Sequence, residues 1–197
     1  KINDSTVVDV WEKNRWGSKQ FSFPVKKGQS YKIEMSFRQS EGDAIVKLRA
    51  GHYEKTDFKA LANRISDADV ILFAGGISPQ LEGEEMPVNY PGFKGGDRTD
   101  IQLPEVQRHC LQALKAAGKK VIFVNCSGSA IGLVPETESC EAILQAWYGG
   151  ESGGQAVADV LFGDSNPSGK LPVTFYKDTT QLADFEDYSM KGRTYRY

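Results

Sequence analysis

Three glutamates within four positions are the residues in this sequence best suited to do chemistry. Glu82, Glu84 and Glu85 lie in a long connection that runs from Gly75 to Gly96. Negative charges this close disfavour ionisation of one another, and a carboxyl group that keeps its proton can serve as a general acid. An acidic loop that is merely solvated is the alternative. The residue types therefore indicate a candidate for proton transfer, and they do not choose among the three carboxylates.

This connection begins where a buried strand is expected to end. Val70–Ala74 is a continuous apolar run followed by two glycines, and the helical spacing of Phe58, Leu61, Ala62 and Ile65 precedes it. The same alternation continues along the chain. It predicts a helix after Pro104 that stops at Gly118, strands at Val121–Asn125, Ala142–Trp147 and Leu171–Phe175, and a helix at Gly154–Phe162. Strands that alternate with helices predict a parallel sheet covered on both faces.

The first fifty residues follow a different pattern. Phe21, Phe23 and Val25 alternate with polar neighbours, a glycine turn follows at Gly28, and Ala44–Leu48 forms another short apolar run. So few strands cannot close a sheet by themselves. The predicted fold class is therefore α/β, a mostly parallel sheet flanked by helices over residues 51–197, preceded by a partial antiparallel β-sandwich segment over residues 1–50.

Composition and charge exclude several classes of protein. Hydrophobic residues make up 40% and charged residues 25% of the 197 residues, with a net charge of -2, which is typical of a globular protein rather than a disordered or membrane-spanning one. Lysines and arginines are scattered, so no nucleic-acid partner is expected. The chain starts at Lys1 rather than at a methionine, and we expect it to be part of a longer protein.

Most of the remaining motifs indicate structural roles. Cys110, Cys126 and Cys140 have no metal-ligand spacing and are predicted to be small buried residues. Gly149–Gly154 has the outer glycines of a phosphate loop without its lysine, and Ser127 and Ser129 lack the flanking glycines of a nucleophile elbow. Asp97-Arg98 is expected to form an ion pair that fixes the far end of the glutamate loop, and Trp147-Tyr148 is either a sugar-stacking platform or the edge of a core.

Residues 142–175, AILQAWYGGESGGQAVADVLFGDSNPSGKLPVTF, resemble the C-terminal α/β sandwich domain of glycoside hydrolase family 3. The resemblance extends back through GGDRTDIQLPEVQ at Gly95–Gln107 and forward to GRTYRY at Gly192–Tyr197, so that it covers the chain from about Thr56 to its end. More faintly, the segments VVDVW, KKGQSYKIEMSF and AIVKLRA resemble the closing strands of a protective-antigen-type β-sandwich.

The resemblance implies a function for the whole enzyme. Family members are typically retaining, exo-acting β-xylosidases or β-glucosidases, in which a preceding barrel domain carries the aspartate nucleophile and this domain often carries the acid/base glutamate. Aligned without gaps, that glutamate is Glu84, with Glu82 and Glu85 as alternates, because Glu85 stands where many relatives have glycine. Within the family, the loop sequence GISPQLEGEEM resembles the β-xylosidase branch more than the β-glucosidase branch.

The resemblance also implies what the protein works with. We expect a glycoside or oligosaccharide substrate, the absent barrel as a partner domain, no metal or other cofactor, and a periplasmic or secreted location. A non-catalytic carbohydrate-binding or scaffolding domain of a degenerate family member is the alternative.

Overall fold

A computed structural model of the chain describes residues 1–11, 19–43, 45–52 and 54–193. They form two compact units, Lys1–Glu54 and Lys55–Tyr197. The division lies close to the predicted boundary between residues 50 and 51. The predicted assignment of the first segment to a β-sandwich module remains a prediction.

A parallel sheet organises the second unit. Its strands are β1 (Val70–Gly76), β5 (Lys120–Cys126) and β6 (Ala142–Gln145), in the order β1-β5-β6. The central strand β5 pairs with β1 from Val70↔Lys120 to Gly76↔Cys126. Its pairs with β6 run from Ile122↔Ala142 to Asn125↔Gln145. The predicted α/β class is therefore confirmed.

Helices pack against one face of this sheet. They are α1 (Phe58–Arg64), α3 (Glu105–Ala116) and α4 (Val134–Ser139), of which α4 was not predicted from the sequence. The side chains of Leu111, Val121 and Phe123 are completely buried between the helices and the sheet. Val121 and Phe123 alternate along β5, and Leu111 lies on the face of α3 that covers them. Burial of this apolar surface is the main source of stability for such a layer.

The opposite face of the sheet is more open than predicted. Val70 and Leu72 of β1 are 46% and 50% exposed, and α5 (Gly153–Phe162) contains no buried residue. In the described part of the chain, one face of the sheet is thus well buried and the other only in part, since Val124 of β5 is buried there while Val70 and Leu72 are half-exposed. The alternating exposure along β1 is that of a strand with one packed face.

Two further predictions of strands were wrong. Leu171–Phe175 has no ladder partner and no strand geometry, and β6 ends at Gln145 rather than at Trp147. Among the described residues up to 50, pairing is limited to the isolated bridges Ile2↔Ser5 and Ile2↔Ile33. An apolar alternation becomes a strand only beside a hydrogen-bonding neighbour, and these segments have none there. Ala44 of the predicted strand Ala44–Leu48, and Thr194–Tyr197 of the motif GRTYRY, lie outside the described residues.

Short elements fill the connection after β1. They are α2 (Pro79–Glu82) and a small antiparallel sheet of β2 (Asn89–Tyr90), β3 (Phe93–Lys94) and β4 (Asp97–Arg98). A 3-10 turn, Thr179–Gln181, follows α5. Of the described helices, none is long and apolar enough to cross a bilayer.

Candidate active site

The glutamate loop lies at the carboxyl edge of the parallel sheet. This edge is where ligand-binding loops gather in open α/β sheets. The end of β1 is fixed there by Gln107 of α3. The Gln107 amide accepts a hydrogen bond from Gly76 N–H at 2.8 Å and donates one to Gly76 O at 2.7 Å. An added Cβ at Gly75 would lie 2.5 Å from Gln107 Oε1, so the clamp requires glycine there.

Helix α2 brings Glu82 to this edge. Ser78 caps its first turn by accepting a hydrogen bond from Leu81 N–H at 3.2 Å, and Pro79 occupies an early helical position. Gly83 ends the helix in the left-handed conformation with φ +65°. A Cβ on Gly83 would come within 2.2 Å of Val88 Cγ2, so no side chain fits. The chain direction after Glu82 is therefore tightly defined.

The carboxylate of Glu82 turns inward. Its Oε1 accepts a hydrogen bond from Ser129 Oγ at 3.0 Å, and its Oε2 lies 3.2 Å from the hydroxyl of Tyr148. Ser129 follows β5 and Tyr148 follows β6. Glu82 thus connects the loop after β1 to the loops after both other strands of the sheet.

Tyr148 reaches this position because the backbone reverses just before it. Trp147 has φ +58°, an unfavourable conformation for a bulky residue. The Trp147 ring packs edge-on against Phe175 at 5.8 Å, as a core-edge residue would. The Tyr148 hydroxyl donates to Ile77 O at 2.6 Å. Burial and the negative charge of Glu82 raise the pKa of Tyr148 above its ordinary value, so this group is a hydrogen-bond donor at neutral pH.

Arg98 fixes the far end of the loop, but not through Asp97. Its guanidinium donates to the carbonyl of Asp100 at 3.1 Å, and to Ser129 Oγ and the carbonyl of Ala130 at 3.0 Å each. It also lies above the Phe93 ring. Burial lowers the pKa of Arg98, while the negative charges of Glu82 and Asp100 act in the opposite direction. Arg98 thus fixes the end of the loop as expected, but its partners are Asp100, Ser129 and Ala130 rather than Asp97.

A buried amide and hydroxyl network supports Ser129 from below. Asn125 and Ser127 are both completely buried. Asn125 Nδ2 donates to Ser127 Oγ at 3.2 Å and to Gln145 Oε1 at 2.5 Å, and Ser127 Oγ donates to the carbonyl of Ser129 at 3.0 Å. These hydrogen bonds hold the three side chains in one geometry, although Asn125 Oδ1 is buried without a hydrogen-bond partner among the described residues. Ser127 and Ser129 thus take part in a hydrogen-bonded network that fixes the loop after β5.

Glu84 and Glu85 occupy a different environment from Glu82. Both are exposed and form the centre of a turn that closes where Met86 N–H donates to Gly83 O at 2.8 Å. Gly96 approaches this turn so closely that a Cβ there would lie 2.8 Å from Glu85 N. The three glutamates therefore do not share one environment: Glu82 is anchored and partly buried, and Glu84 and Glu85 are presented to solvent.

Glu85 carries backbone strain that glycine would relieve. Its φ is +52°, and the left-handed region costs a non-glycine residue about 1–2 kcal/mol. We expect Glu85→Gly to raise the free energy of unfolding by about 1 kcal/mol, because the greater freedom of glycine in the unfolded chain offsets part of the gain. Thermal unfolding of the full-length protein measures this, with Glu85→Ala, which keeps the strain, as the control. An unchanged or lower melting temperature in Glu85→Gly would contradict it.

The cysteines are predicted to differ in reactivity. Cys110 and Cys140 are buried as expected, but Cys126 at the end of β5 is exposed, which corrects the expectation for that residue. Burial raises the pKa of Cys110, and raises that of Cys140 to about 11. Since the thiolate is the reactive form, brief treatment with iodoacetamide at pH 7.5 should label Cys126 alone among the three. Peptide mass spectrometry checks this, and labelling of Cys140 before Cys126 would contradict it.

Two parts of the site were missed by the sequence analysis. Ser129 was considered only as a nucleophile and rejected, and Tyr148 was predicted to be part of a sugar-stacking platform or of a core edge. The available signal was their position, since each follows a strand of the same parallel sheet. What the sequence did not reveal is that both side chains meet Glu82.

Comparison with known proteins identifies the family. The model of the glycosyl hydrolase family 3 C-terminal domain matches residues 9–197. A xylan 1,4-beta-xylosidase of Xylanibacter ruminicola is 61% identical over 88% of this chain. A periplasmic beta-glucosidase of Salmonella typhimurium is 43% identical over 65% of the chain.

Solved structures agree with this. A β-glucosidase from Erythrobacter marinus superposes with a TM-score of 0.56 at 37% identity, over 69% of this chain and 18% of that one. A beta-glucosidase from Listeria innocua in complex with gluconolactone has a TM-score of 0.54 at 28% identity, over 70% of this chain and 18% of that one. The chain spans 20% of the length of the Xylanibacter relative and 15% of the Salmonella relative. With the family model matched over nearly all of its residues, the chain belongs to glycosyl hydrolase family 3, as a C-terminal domain of that family.

Proposed function

We propose that this chain is part of a retaining, exo-acting β-glycosidase and supplies its acid/base residue, Glu84. The observation that carries the proposal is the placement of Glu84. Its carboxylate is solvent-facing in a turn whose preceding residues are anchored to all three strand ends of a family 3 domain. A proton donor must be able to reach a substrate that enters from solvent, and Glu84 meets that requirement.

The local geometry favours Glu84 over its two alternates. Both oxygens of Glu82 already face hydroxyl groups of the protein, so a sugar oxygen would have to displace one of them. Glu85 lies in a conformation that glycine adopts more easily, which agrees with the resemblance in which relatives carry glycine there. Glu84 has neither restriction.

The proposed reaction proceeds in two steps. A nucleophilic aspartate, supplied by a barrel domain of the same protein, attacks the anomeric carbon while Glu84 protonates the leaving oxygen. The resulting covalent glycosyl-enzyme is hydrolysed by water that the Glu84 carboxylate deprotonates, so the β configuration is retained. The described residues provide the proton donor and the groups that orient it.

The substrate is proposed to be a terminal β-linked xylose, with β-glucose as the alternative sugar. The supporting observation is that the relative with 61% identity is named a xylan 1,4-beta-xylosidase, whereas the one named a periplasmic beta-glucosidase is 43% identical. Export of the parent protein to the periplasm or the medium is supported by the relative that is named a periplasmic beta-glucosidase.

Residues 1–50 are proposed to belong to a sugar-binding-type β-sandwich module. Phe21, Phe23 and Tyr31 form a small aromatic cluster in the first unit. The ring centroid of Phe23 lies 6.1 Å from that of Phe21 and 5.6 Å from that of Tyr31. Phe21 and Phe23 remain 40% and 37% exposed. Exposed apolar rings of this kind are what the inner face of a sandwich presents when its other strands belong to a further segment.

Hydrolysis of aryl β-xyloside and aryl β-glucoside by the full-length protein tests the proposed function. We expect turnover of both sugars, faster for the xyloside, and release of the β-anomer as the first product seen by proton NMR. Release of the α-anomer would overturn the retaining mechanism. Absence of turnover on these and other β-glycosides, together with binding of xylo-oligosaccharides, would favour a carbohydrate-binding or scaffolding domain instead.

A further inference from the structure

A chain of hydrogen bonds meets at Glu82, the residue just before the turn that contains Glu84 and Glu85. It links Arg98, Ser129, Glu82 and Tyr148 in that order. Arg98 closes the loop, Glu82 opens the turn, and the other two residues follow the central and edge strands β5 and β6. Both ends of the glutamate loop are thereby attached to one polar chain.

The donor and acceptor roles along the first part of this chain are fixed by chemistry. A guanidinium can only donate, so Ser129 Oγ accepts from Arg98 Nη1 at 3.0 Å. Its one hydroxyl proton is then available to Glu82 Oε1, also at 3.0 Å. A cation behind the hydroxyl polarises it and strengthens the bond to the carboxylate. Glu82 is therefore held firmly on this side.

Tyr148 holds the second oxygen of Glu82 in a different way. Its hydroxyl has one proton and two acceptors within reach, Ile77 O at 2.6 Å and Glu82 Oε2 at 3.2 Å. Gly128 lets the ring approach, since a Cβ there would lie 2.5 Å from Tyr148 Cε2. The ring is thus fixed against the backbone while its hydroxyl faces the Glu82 carboxylate.

The position of Glu82 determines the direction of the turn that follows. Gly83 is the left-handed cap of α2 and contacts Val88 with no room for a Cβ. Glu84 is the next residue, and its Cα lies within 3.4 Å of where a Cβ on Gly96 would be. Gly83 and Gly96 are both confined by these contacts. A shift of Glu82 therefore changes the conformation of the turn at Glu84 and Glu85, and this change moves the Glu84 carboxylate.

We propose that Glu82 and Tyr148 are positioning residues that hold the Glu84 carboxylate against the substrate. This inference rests on the proposed acid/base role of Glu84. Neither residue touches the reacting atoms. A displacement of about 1 Å in a catalytic group is enough to lower turnover by about 100-fold, so loss of the anchor should reduce kcat while Glu84 is still present.

Steady-state kinetics of the full-length enzyme test this with Glu82→Gln, Tyr148→Phe and the double variant. For an aryl β-xyloside we expect kcat to fall by about 10- to 100-fold in Glu82→Gln and KM to change less than threefold. Tyr148→Phe should lose less, because the ring and its packing remain. The double variant should lose no more than Glu82→Gln, since both residues act through one contact. Glu105→Gln, an exposed glutamate of α3, is the matched control and should behave as wild type.

Azide separates this proposal from the proposed function. Azide should not restore turnover in Glu82→Gln, because the Glu84 carboxylate is still present and its negative charge repels the azide anion from the position that opens only when that group is removed. Wild-type kcat in both Glu82→Gln and Tyr148→Phe would overturn the positioning role and leave the role of Glu84 intact. Wild-type kcat in Glu84→Ala would overturn the proposed function. Formation of a β-glycosyl azide by Glu82→Gln would assign the acid/base role to Glu82 and overturn the positioning role.

Discussion

Glu84→Ala is expected to abolish most turnover of glycosides with poor leaving groups. General acid catalysis contributes about 10²- to 10⁴-fold, and an alkyl or sugar leaving group depends on it fully. The activated leaving group of an aryl glycoside departs without protonation, so the first step, formation of the glycosyl-enzyme, should remain fast for such a substrate. The second step still lacks the base for water, and the glycosyl-enzyme should accumulate. A burst of released phenol followed by slow turnover, measured by stopped-flow absorbance, is the expected result.

Azide should restore the second step in Glu84→Ala. It attacks the glycosyl-enzyme without needing a base, so turnover of the activated substrate should rise with azide concentration and yield the β-glycosyl azide. Glu85→Ala is the matched control, since it removes the neighbouring exposed carboxylate of the same turn. Rescue of Glu85→Ala with formation of the glycosyl azide, and none of Glu84→Ala, would place the acid/base one residue later.

The sequence was most informative where a long apolar run predicted a strand. Val70–Ala74 and Val121–Asn125 both lie inside observed strands, because runs of β-branched and aromatic residues favour the extended conformation, although Val70 and Leu72 of the first run remain half-exposed. The helix after Pro104 was predicted from the helical spacing of Val106, Cys110, Leu111 and Leu114. The last three are buried, whereas Val106 is 50% exposed.

Prediction failed where structure depends on a distant partner. Leu171–Phe175 has a strand-like composition, but a strand also needs a neighbouring edge, which no local pattern encodes. Helix α4 was missed because six polar-rich residues give little periodicity, although Pro135 at its start is a recognisable signal. The open face of the sheet could not be foreseen either, since the α5 sequence alone does not show what it packs against.

The candidate site, too, could be predicted only in part from the sequence. The glutamates and their place after a buried strand could be read from the chain, and so could the role of Arg98 at the end of the loop. The partners of Glu82 could not. Ser129 and Tyr148 are 47 and 66 positions away from it. Such contacts arise only when three strand ends meet at one edge of a sheet.

The largest effect on stability is expected from Glu136 in helix α4. Its side chain has no solvent exposure, and its two oxygens accept from Arg108 Nε at 2.7 Å and Nη2 at 3.3 Å. Glu136→Leu should leave the guanidinium of Arg108, whose side chain is only 20% exposed, without its counter-charge. Breaking a buried pair from one side costs about 3–5 kcal/mol. Amide hydrogen exchange of the α3 and α4 peptides in the full-length protein should accelerate accordingly, and the melting temperature should fall.

A second substitution shows whether the lost charge partner is the cause. In Arg108→Met combined with Glu136→Leu, both charges are gone and apolar groups of similar size fill the space, so much of the lost protection should return. The exposed pair Lys115–Glu141 joins the end of α3 to the residue before β6 at 2.9 Å and provides the control. Glu141→Gln should leave exchange unchanged, because solvent screens that pair. If the double variant exchanges as fast as Glu136→Leu, the carboxylate acts through its packing in α4 rather than through its charge.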